Sequence, residues 1–243
     1  MSQIYVTPNQ EVVEQKTSKG ILSFAKVFLY MFMFLAITTV VSFGVGGIIA
    51  YALYNGADTT VVANTYIGLM IASGISLFIL MIIINFVVLR GKHSVIVPAI
   101  IYSVLMGVLL SSFTLFIDWR ILGLAFGITS GIFLLMTLIA VLTKGNLSPL
   151  LMVGMGLMIG AGILALINWL IQSDTIMWIV SFALFAAIMF ITMFDIWNIK
   201  KICERGQMTP NMSMYCAFTL YVDFIYILIR VLYFLLIIFA NKK

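Results

Sequence analysis

The sequence predicts an all-α integral membrane protein, a seven-transmembrane-helix bundle with the last helix central. Of the 243 residues, 64% are hydrophobic and 9% are charged, whereas about a quarter of a soluble domain is charged. The mean hydropathy is +1.22, and nearly all of the apolar sequence falls into runs that exceed the roughly 20 residues needed to cross a bilayer. The last run also carries polar residues at helical spacing, so that face of the helix needs protein around it.

The apolar runs define the elements in chain order. They cover about 22–54, 63–89, 94–117, 121–143, 148–172, 175–198 and 213–240. Helices are expected because lipid offers no water to unpaired backbone groups. Residues 1–20 are polar and predict a disordered cytosolic tail, which leaves 21–243 as one transmembrane domain. No cleavable signal peptide is visible, since the first apolar run starts late and is long.

The basic residues predict the orientation of the bundle. With the N-terminus inside, the inner segments carry most of the positive charge: Lys16, Lys19, Lys26, Arg90, Lys92, Lys144, Lys200, Lys201 and Arg205. The outer segments carry Arg120, Lys242 and Lys243 together with Asp58, Asp118 and Asp174. This asymmetry follows the positive-inside rule. The C-terminal lysines disagree unless the last segment is re-entrant, and both arrangements stay open.

The placement of the basic residues, the two cysteines and the single histidine argues against several classes of function. The basic residues are scattered at the ends of apolar runs, which argues against a nucleic-acid surface. Cys203 and Cys216 are expected to be free thiols near a reducing cytosol. His93 is the only histidine, so a histidine-based metal or nucleophile site is not expected. We expect no cofactor and no enzymatic activity, and the partner that composition predicts is the lipid bilayer.

Two aspartates within apolar runs are the candidate functional residues. Asp195 ends the sixth run, and Asp223 lies about ten residues into the seventh. A carboxylate at membrane depth costs a few kcal/mol or more and marks a functional site. The two predicted helices are antiparallel, so both carboxyl groups fall in the inner part of the membrane. If the two carboxyl groups meet, they would share a proton, because ionising both at close range costs too much electrostatic free energy. The alternative for Asp195 is an interfacial carboxylate solvated near Lys200 and Lys201.

Polar residues on the last run form a stripe, defined as Thr219, Asp223, Tyr226, Arg230 and Tyr233. Their spacing of four, three, four and three places them on one helix face. A polar face is expected to line a wet cavity or to be surrounded by other helices. We expect the fourth, fifth and sixth spans to pack around it. The alternative for the two tyrosines is ordinary packing.

Small residues in the fifth run predict close helix contact. GMGLMIGAG contains Gly154, Gly156, Gly160 and Gly162, and Gly156-x-x-x-Gly160 matches the small-xxx-small pattern. The sixteen methionines are interpreted as adaptable packing rather than a metal path.

Five segments occur in order from about residue 95 to 233: Tyr102-x4-Gly107 followed by LLSSF, AFGITSGIFLLMTLIAVLTKGNLS, LINWLIQS, FDIWNIKKI and LYVDFIYILIR. In these segments the sequence resembles the Bax inhibitor-1 family of membrane proteins. The resemblance implies a seven-helix bundle with a central last helix. It also implies a pH-sensitive, calcium-permeable leak governed by an aspartate pair, here Asp195 and Asp223, where calcium could bind transiently. The partners that the resemblance implies are calcium ions and protons, together with other membrane proteins.

The sequence departs from the family pattern at several positions. Asn146 stands where aspartate is usual, and Tyr226 replaces an asparagine. Arg230 falls three residues before the family's arginine, whose place Tyr233 takes. The second span has no acidic residue, although some leak-active members of the family carry one there.

Other functions remain as alternatives. The main alternative is an interaction protein that restrains a membrane protease or a stress or cell-death regulator without conducting ions. An intramembrane aspartyl protease also uses two aspartates, but its Gly-x-Gly-Asp and Pro-Ala-Leu motifs are missing here. A proton-coupled transporter would be expected to show an inverted repeat or broken helices, and neither is visible. The short tail and single domain favour a bacterial plasma membrane, with the endoplasmic reticulum as the location in a eukaryote.

Overall fold

The structure is a computed structural model that describes residues 8–90 and 94–240, with side chains described for 20–86 and 94–239. Seven helices make up the described chain: α1 (Pro8–Tyr54), α2 (Thr59–Arg90), α3 (Ile96–Phe116), α4 (Trp119–Leu142), α5 (Ser148–Ile171), α6 (Asp174–Glu204) and α7 (Pro210–Ala240). Each of the seven contains a stretch long and apolar enough to span a membrane. The predicted all-α, seven-helix membrane fold is confirmed.

Helix α1 begins earlier than its apolar run. It starts at Pro8 and extends over 47 residues, so the expected disorder is wrong for residues 8–20. Proline is compatible with the first helical turn. Once the membrane span is helical, each further residue adds one hydrogen bond without a new nucleation cost. The segment 1–7 lies outside the described residues.

Helix α7 occupies the centre of the bundle. In its most apolar window 44% of the residues are buried, compared with 11% in α5. It packs against α1, α4 and α6 and, less extensively, against α3. The predicted packing of the fourth and sixth spans against the last helix is therefore confirmed, whereas the predicted packing of the fifth span against it is wrong. Helix α5 packs on α6 instead. The position beside α7 that was predicted for α5 is occupied by α1, whose apolar side, including Val27, Met31 and Phe34, is fully buried.

The glycines of α5 explain where that helix sits. A Cβ atom on Gly154 would lie 2.8 Å from Ile191 Cγ1 and 3.0 Å from the Ala187 carbonyl oxygen, so only glycine allows this approach of α5 to α6. Gly156 and Gly160 have no such neighbour within 4 Å. The predicted Gly156-x-x-x-Gly160 contact is wrong, because the helix rotation places these two residues away from α6.

The last span is a single helix from Pro210 to Ala240, which does not support a re-entrant segment. An odd number of spans places the two ends of the described bundle on opposite sides of the membrane. Lys92 and His93, like Lys242 and Lys243, lie outside the described residues.

The orientation has a direct test. Asp58, Asp174 and Gly145 are all exposed in inter-helix connections or at helix ends. Single cysteines at Asp58 or Asp174 should react with an impermeant thiol reagent added outside intact cells, whereas one at Gly145 should react only after lysis. The native Cys203 and Cys216 are buried free thiols, so the background should be low. The reverse labelling pattern would overturn the orientation.

Candidate functional site: a paired-carboxyl cavity

The two intramembrane aspartates meet in the structure. Helices α6 and α7 are joined by a short turn, and the carboxyl groups of Asp195 and Asp223 lie within hydrogen-bonding range of each other. Asp223 is 8% exposed and Asp195 is half-buried. The interfacial alternative for Asp195 therefore does not describe this arrangement, because the carboxyl group contacts Asp223 and lies against a cavity.

That cavity, which we call the paired-carboxyl cavity, has a volume of about 200 Å³. Four helices contribute its lining: Met81 and Asn85 from α2, Met158 from α5, Ile188, Ile191 and Asp195 from α6, and Tyr215, Phe218, Thr219, Val222, Asp223 and Tyr226 from α7. The carboxyl groups thus face a partly open space with a mainly apolar wall and a few polar groups, where water and a small cation have room.

One carboxyl oxygen of the pair has no hydrogen-bond donor beside it. Asp223 Oδ2 is buried without a partner. The neighbouring Thr192 hydroxyl donates to the Ile188 carbonyl oxygen at 2.8 Å, which uses its one proton. An ionised carboxylate can only accept hydrogen bonds, so two carboxylates in contact require a proton on one of them to form a bond.

Asn85 is a cavity residue that the sequence reasoning missed. The Tyr215 hydroxyl donates to Asn85 Oδ1 at 3.2 Å and so joins α7 to α2. The Asn85 amide in turn donates to the Met81 carbonyl oxygen at 2.8 Å. The available signal was an asparagine within the apolar IIINFVVL run, although its partner lies 130 residues away.

The polar stripe of α7 divides into two parts. Thr219, Asp223 and Tyr226 line the paired-carboxyl cavity, and Tyr226 is 41% exposed. Arg230 and Tyr233 do not line it, and both are half-buried. Among the described residues, the ion pairs join Lys200 and Lys201 to Glu204, so no carboxylate lies within ion-pair distance of Arg230.

A layer of packed aromatic rings lies beside the cavity and shares Phe218 with its lining. Tyr102 contacts Phe218 edge-to-face at a ring separation of 5.0 Å, and Phe34 contacts Tyr221 at 5.8 Å. The Tyr221 and Thr38 hydroxyls are 2.7 Å apart, and Thr38 donates to the Ser103 carbonyl oxygen at 3.0 Å. This aromatic layer, defined as Phe34, Tyr102, Phe218 and Tyr221, links α1, α3 and α7.

The cavity can offer a metal ion only a weak site. The described residues contain no group of three or more histidine, cysteine or acidic side chains. Calcium takes six to eight oxygen ligands, and here two carboxyl groups are joined by neutral oxygens from Asn85, Thr219 and the tyrosines. Water would have to complete the shell, which suits transient rather than permanent binding.

Comparison with known proteins places this architecture in a family. The sequence profile described as "Inhibitor of apoptosis-promoting Bax1" matches residues 22–241. The chain is also 30% identical over 148 residues to the inner membrane protein YbhL of Escherichia coli, in strain K12 and in an O6:H1 strain. These alignments cover 59% of this chain and 62% of YbhL, which is less than two thirds of the relative. No solved structure matches the chain. Because the profile spans nearly the whole described bundle, including both aspartates, the chain belongs to the Bax inhibitor-1 family.

Proposed function

We propose that the protein is a pH-sensitive, calcium-permeable leak channel of the bacterial inner membrane, with Asp195 and Asp223 as its proton sensor. The observation that carries this proposal is the contact of the two carboxyl groups inside an intramembrane cavity, where one Asp223 oxygen has no partner. The location is supported by the relatives named as inner membrane proteins. In this proposal the aspartates respond to protons and cations and do not catalyse a reaction.

The shared proton is the element that responds to pH. With one proton, the pair carries a single negative charge and is held together by a hydrogen bond. Without it, two negative charges face each other in a poorly hydrated site, where repulsion is much stronger than in water. The neighbouring titratable groups are the hydroxyls of Tyr215 and Tyr226 and the thiol of Cys216. Each protonation state thereby favours a different spacing of α6 and α7, which biases the bundle between two forms.

The aromatic layer is the barrier that a permeating ion would have to cross. It lies beside the cavity, since Phe218 belongs to both. Its rings are packed at contact distances, which corresponds to a closed form. Phe218 and Tyr221 are on α7 together with Asp223, so a shift of α7 that separates the carboxyl groups also moves two of the four rings.

Calcium flux into liposomes tests the proposal. Purified protein reconstituted in vesicles that contain a calcium-sensitive dye should admit calcium at a rate that changes with pH, compared with protein-free vesicles. Equal rates with and without protein at every pH would reject conduction. That outcome would leave the interaction protein, which restrains a membrane protease or a stress or cell-death regulator, as the remaining function.

A further inference from the structure

We propose that a second cavity of this protein binds a phospholipid, with one acyl chain inside the cavity and the phosphate at Arg120. This lateral cavity lies between α1, α3, α4 and α7, and its lining includes Leu35, Phe113, Phe126, Ile225 and Leu232. It shares Thr38 with the contact network of the aromatic layer but contains no residue of the paired-carboxyl cavity. The proposal does not depend on ion conduction.

The size and the walls of the lateral cavity suit an acyl chain. Its volume is about 520 Å³, within the range of roughly 300–1,000 Å³ found for pockets that hold small organic molecules. Most of its lining side chains are leucine, isoleucine, phenylalanine and tryptophan. Water molecules are poorly stabilised in such a space, because a buried water needs about two to four hydrogen-bonding partners.

The three threonine hydroxyls on the wall are already hydrogen-bonded. Thr38 donates to the Ser103 carbonyl oxygen at 3.0 Å, and Thr39 donates to the Leu35 carbonyl oxygen at 2.8 Å. Thr114 donates to the Ser111 carbonyl oxygen at 2.8 Å. Because these three hydroxyl groups donate to backbone carbonyl oxygens, a bound acyl chain would contact mainly methyl and methylene groups.

The cavity is accessible from the bilayer. Helices α1 and α4 pack more extensively against α7 than against each other, where Phe28 of α1 meets Phe133 of α4 edge-to-face. Beside that contact, Phe43 of α1 and Phe126 of α4 line the cavity and are exposed. The gap between them opens sideways, towards the region occupied by lipid tails. A chain can therefore enter from the membrane without crossing water.

The mouth of the cavity carries a positive group at headgroup level. Trp119 lines the cavity, and the Arg120 guanidinium lies 5.7 Å from the centre of its ring. Asp118 is close by, but its carboxylate caps α4 by accepting from the Arg120 backbone N–H at 2.9 Å. Arg120 is the one basic residue at the described α1–α2, α3–α4 and α5–α6 turns. A guanidinium binds phosphate in a bidentate manner, and tryptophan favours the membrane interface.

Native mass spectrometry of the delipidated protein titrated with phosphatidylglycerol tests this site. The wild type should bind one phospholipid tightly. Gly123→Leu fills the cavity, because Gly123 lines it and has open space beside its Cα, and should weaken this binding about tenfold or more. Gly131→Leu is the matched control on α4, since it also has open space but lies outside the lining, and should bind as the wild type does.

Two further variants keep the outcome decisive. Thr39→Phe blocks the cavity from the α1 side at an exposed position, and should reproduce the loss if Gly123→Leu fails to fold. Arg120→Gln should weaken binding of phosphatidylglycerol but not of diacylglycerol, which lacks the phosphate. Undiminished phosphatidylglycerol binding in Gly123→Leu and Thr39→Phe would overturn the site. Equal effects of Arg120→Gln on both lipids would overturn the role of Arg120.

Discussion

Replacing either aspartate of the pair with asparagine should flatten the pH dependence of calcium flux. Asparagine keeps hydrogen-bonding capacity but cannot titrate, so in Asp195→Asn and Asp223→Asn no proton is shared between two carboxyl groups. A pH step that changes wild-type flux about tenfold, which corresponds to roughly 1.4 kcal/mol of gating free energy, should change the flux of either variant much less. Fluorescence from a calcium dye inside liposomes measures these rates.

The control for this experiment is Asp174→Asn. Asp174 lies exposed at the start of α6, so the variant makes the same chemical change on the same helix outside the cavity. It should retain the wild-type pH dependence. A pH dependence that persists in both cavity variants would exclude the pair as the sensor, whatever happens in the control.

Gly107→Val should destabilise the bundle strongly, because it forces two packed helices apart. A Cβ atom at Gly107 would lie 2.7 Å from the Thr38 carbonyl oxygen and 2.7 Å from Val41 Cβ. Both obstacles lie on α1 and one is backbone, so the helices themselves must separate. Overpacking of this kind costs about 1–3 kcal/mol and would also disturb the Thr38–Tyr221 hydrogen bond.

Thermal unfolding in detergent measures this effect. The midpoint of Gly107→Val should fall, or its folded yield should be low, whereas Gly156→Val should resemble the wild type because Gly156 has open space. Equal stability of the two variants would show that the close approach of α1 and α3 is not required.

Most of the fold could be predicted because the bilayer restricts the choices. Length and hydropathy define the spans, and the polar stripe on α7 indicates that this helix needs protein around it. The identity of its neighbours could not be predicted in the same way. Whether α1 or α5 packs on α7 depends on the fit of side chains, such as the close contact of Gly154 in α5 with Ile191 in α6. Neither the hydropathy nor the small-xxx-small pattern specifies that fit.

The residues of the candidate site could be predicted on α6 and α7 only. The sequence indicates Asp195 and Asp223 because carboxylates are costly in apolar runs, and antiparallel neighbouring helices bring both residues to the same depth of the membrane. Asn85 is neutral and far away in sequence, so nothing local indicated its bond to Tyr215. Arg230 shares the helix face of Asp223 but not its cavity, because a stripe that extends over several turns passes beyond a space of this size.

A proton shared by the carboxyl groups of Asp195 and Asp223 is the feature on which the proposed pH response depends. Infrared difference spectroscopy of the protein in lipid distinguishes protonated from ionised carboxyl groups and so detects this proton. We expect, at neutral pH, a protonated carboxyl band that disappears as the pH rises and is missing from the Asp195→Asn/Asp223→Asn double variant. Absence of this band in the wild type, or its persistence in the double variant, would contradict the shared proton.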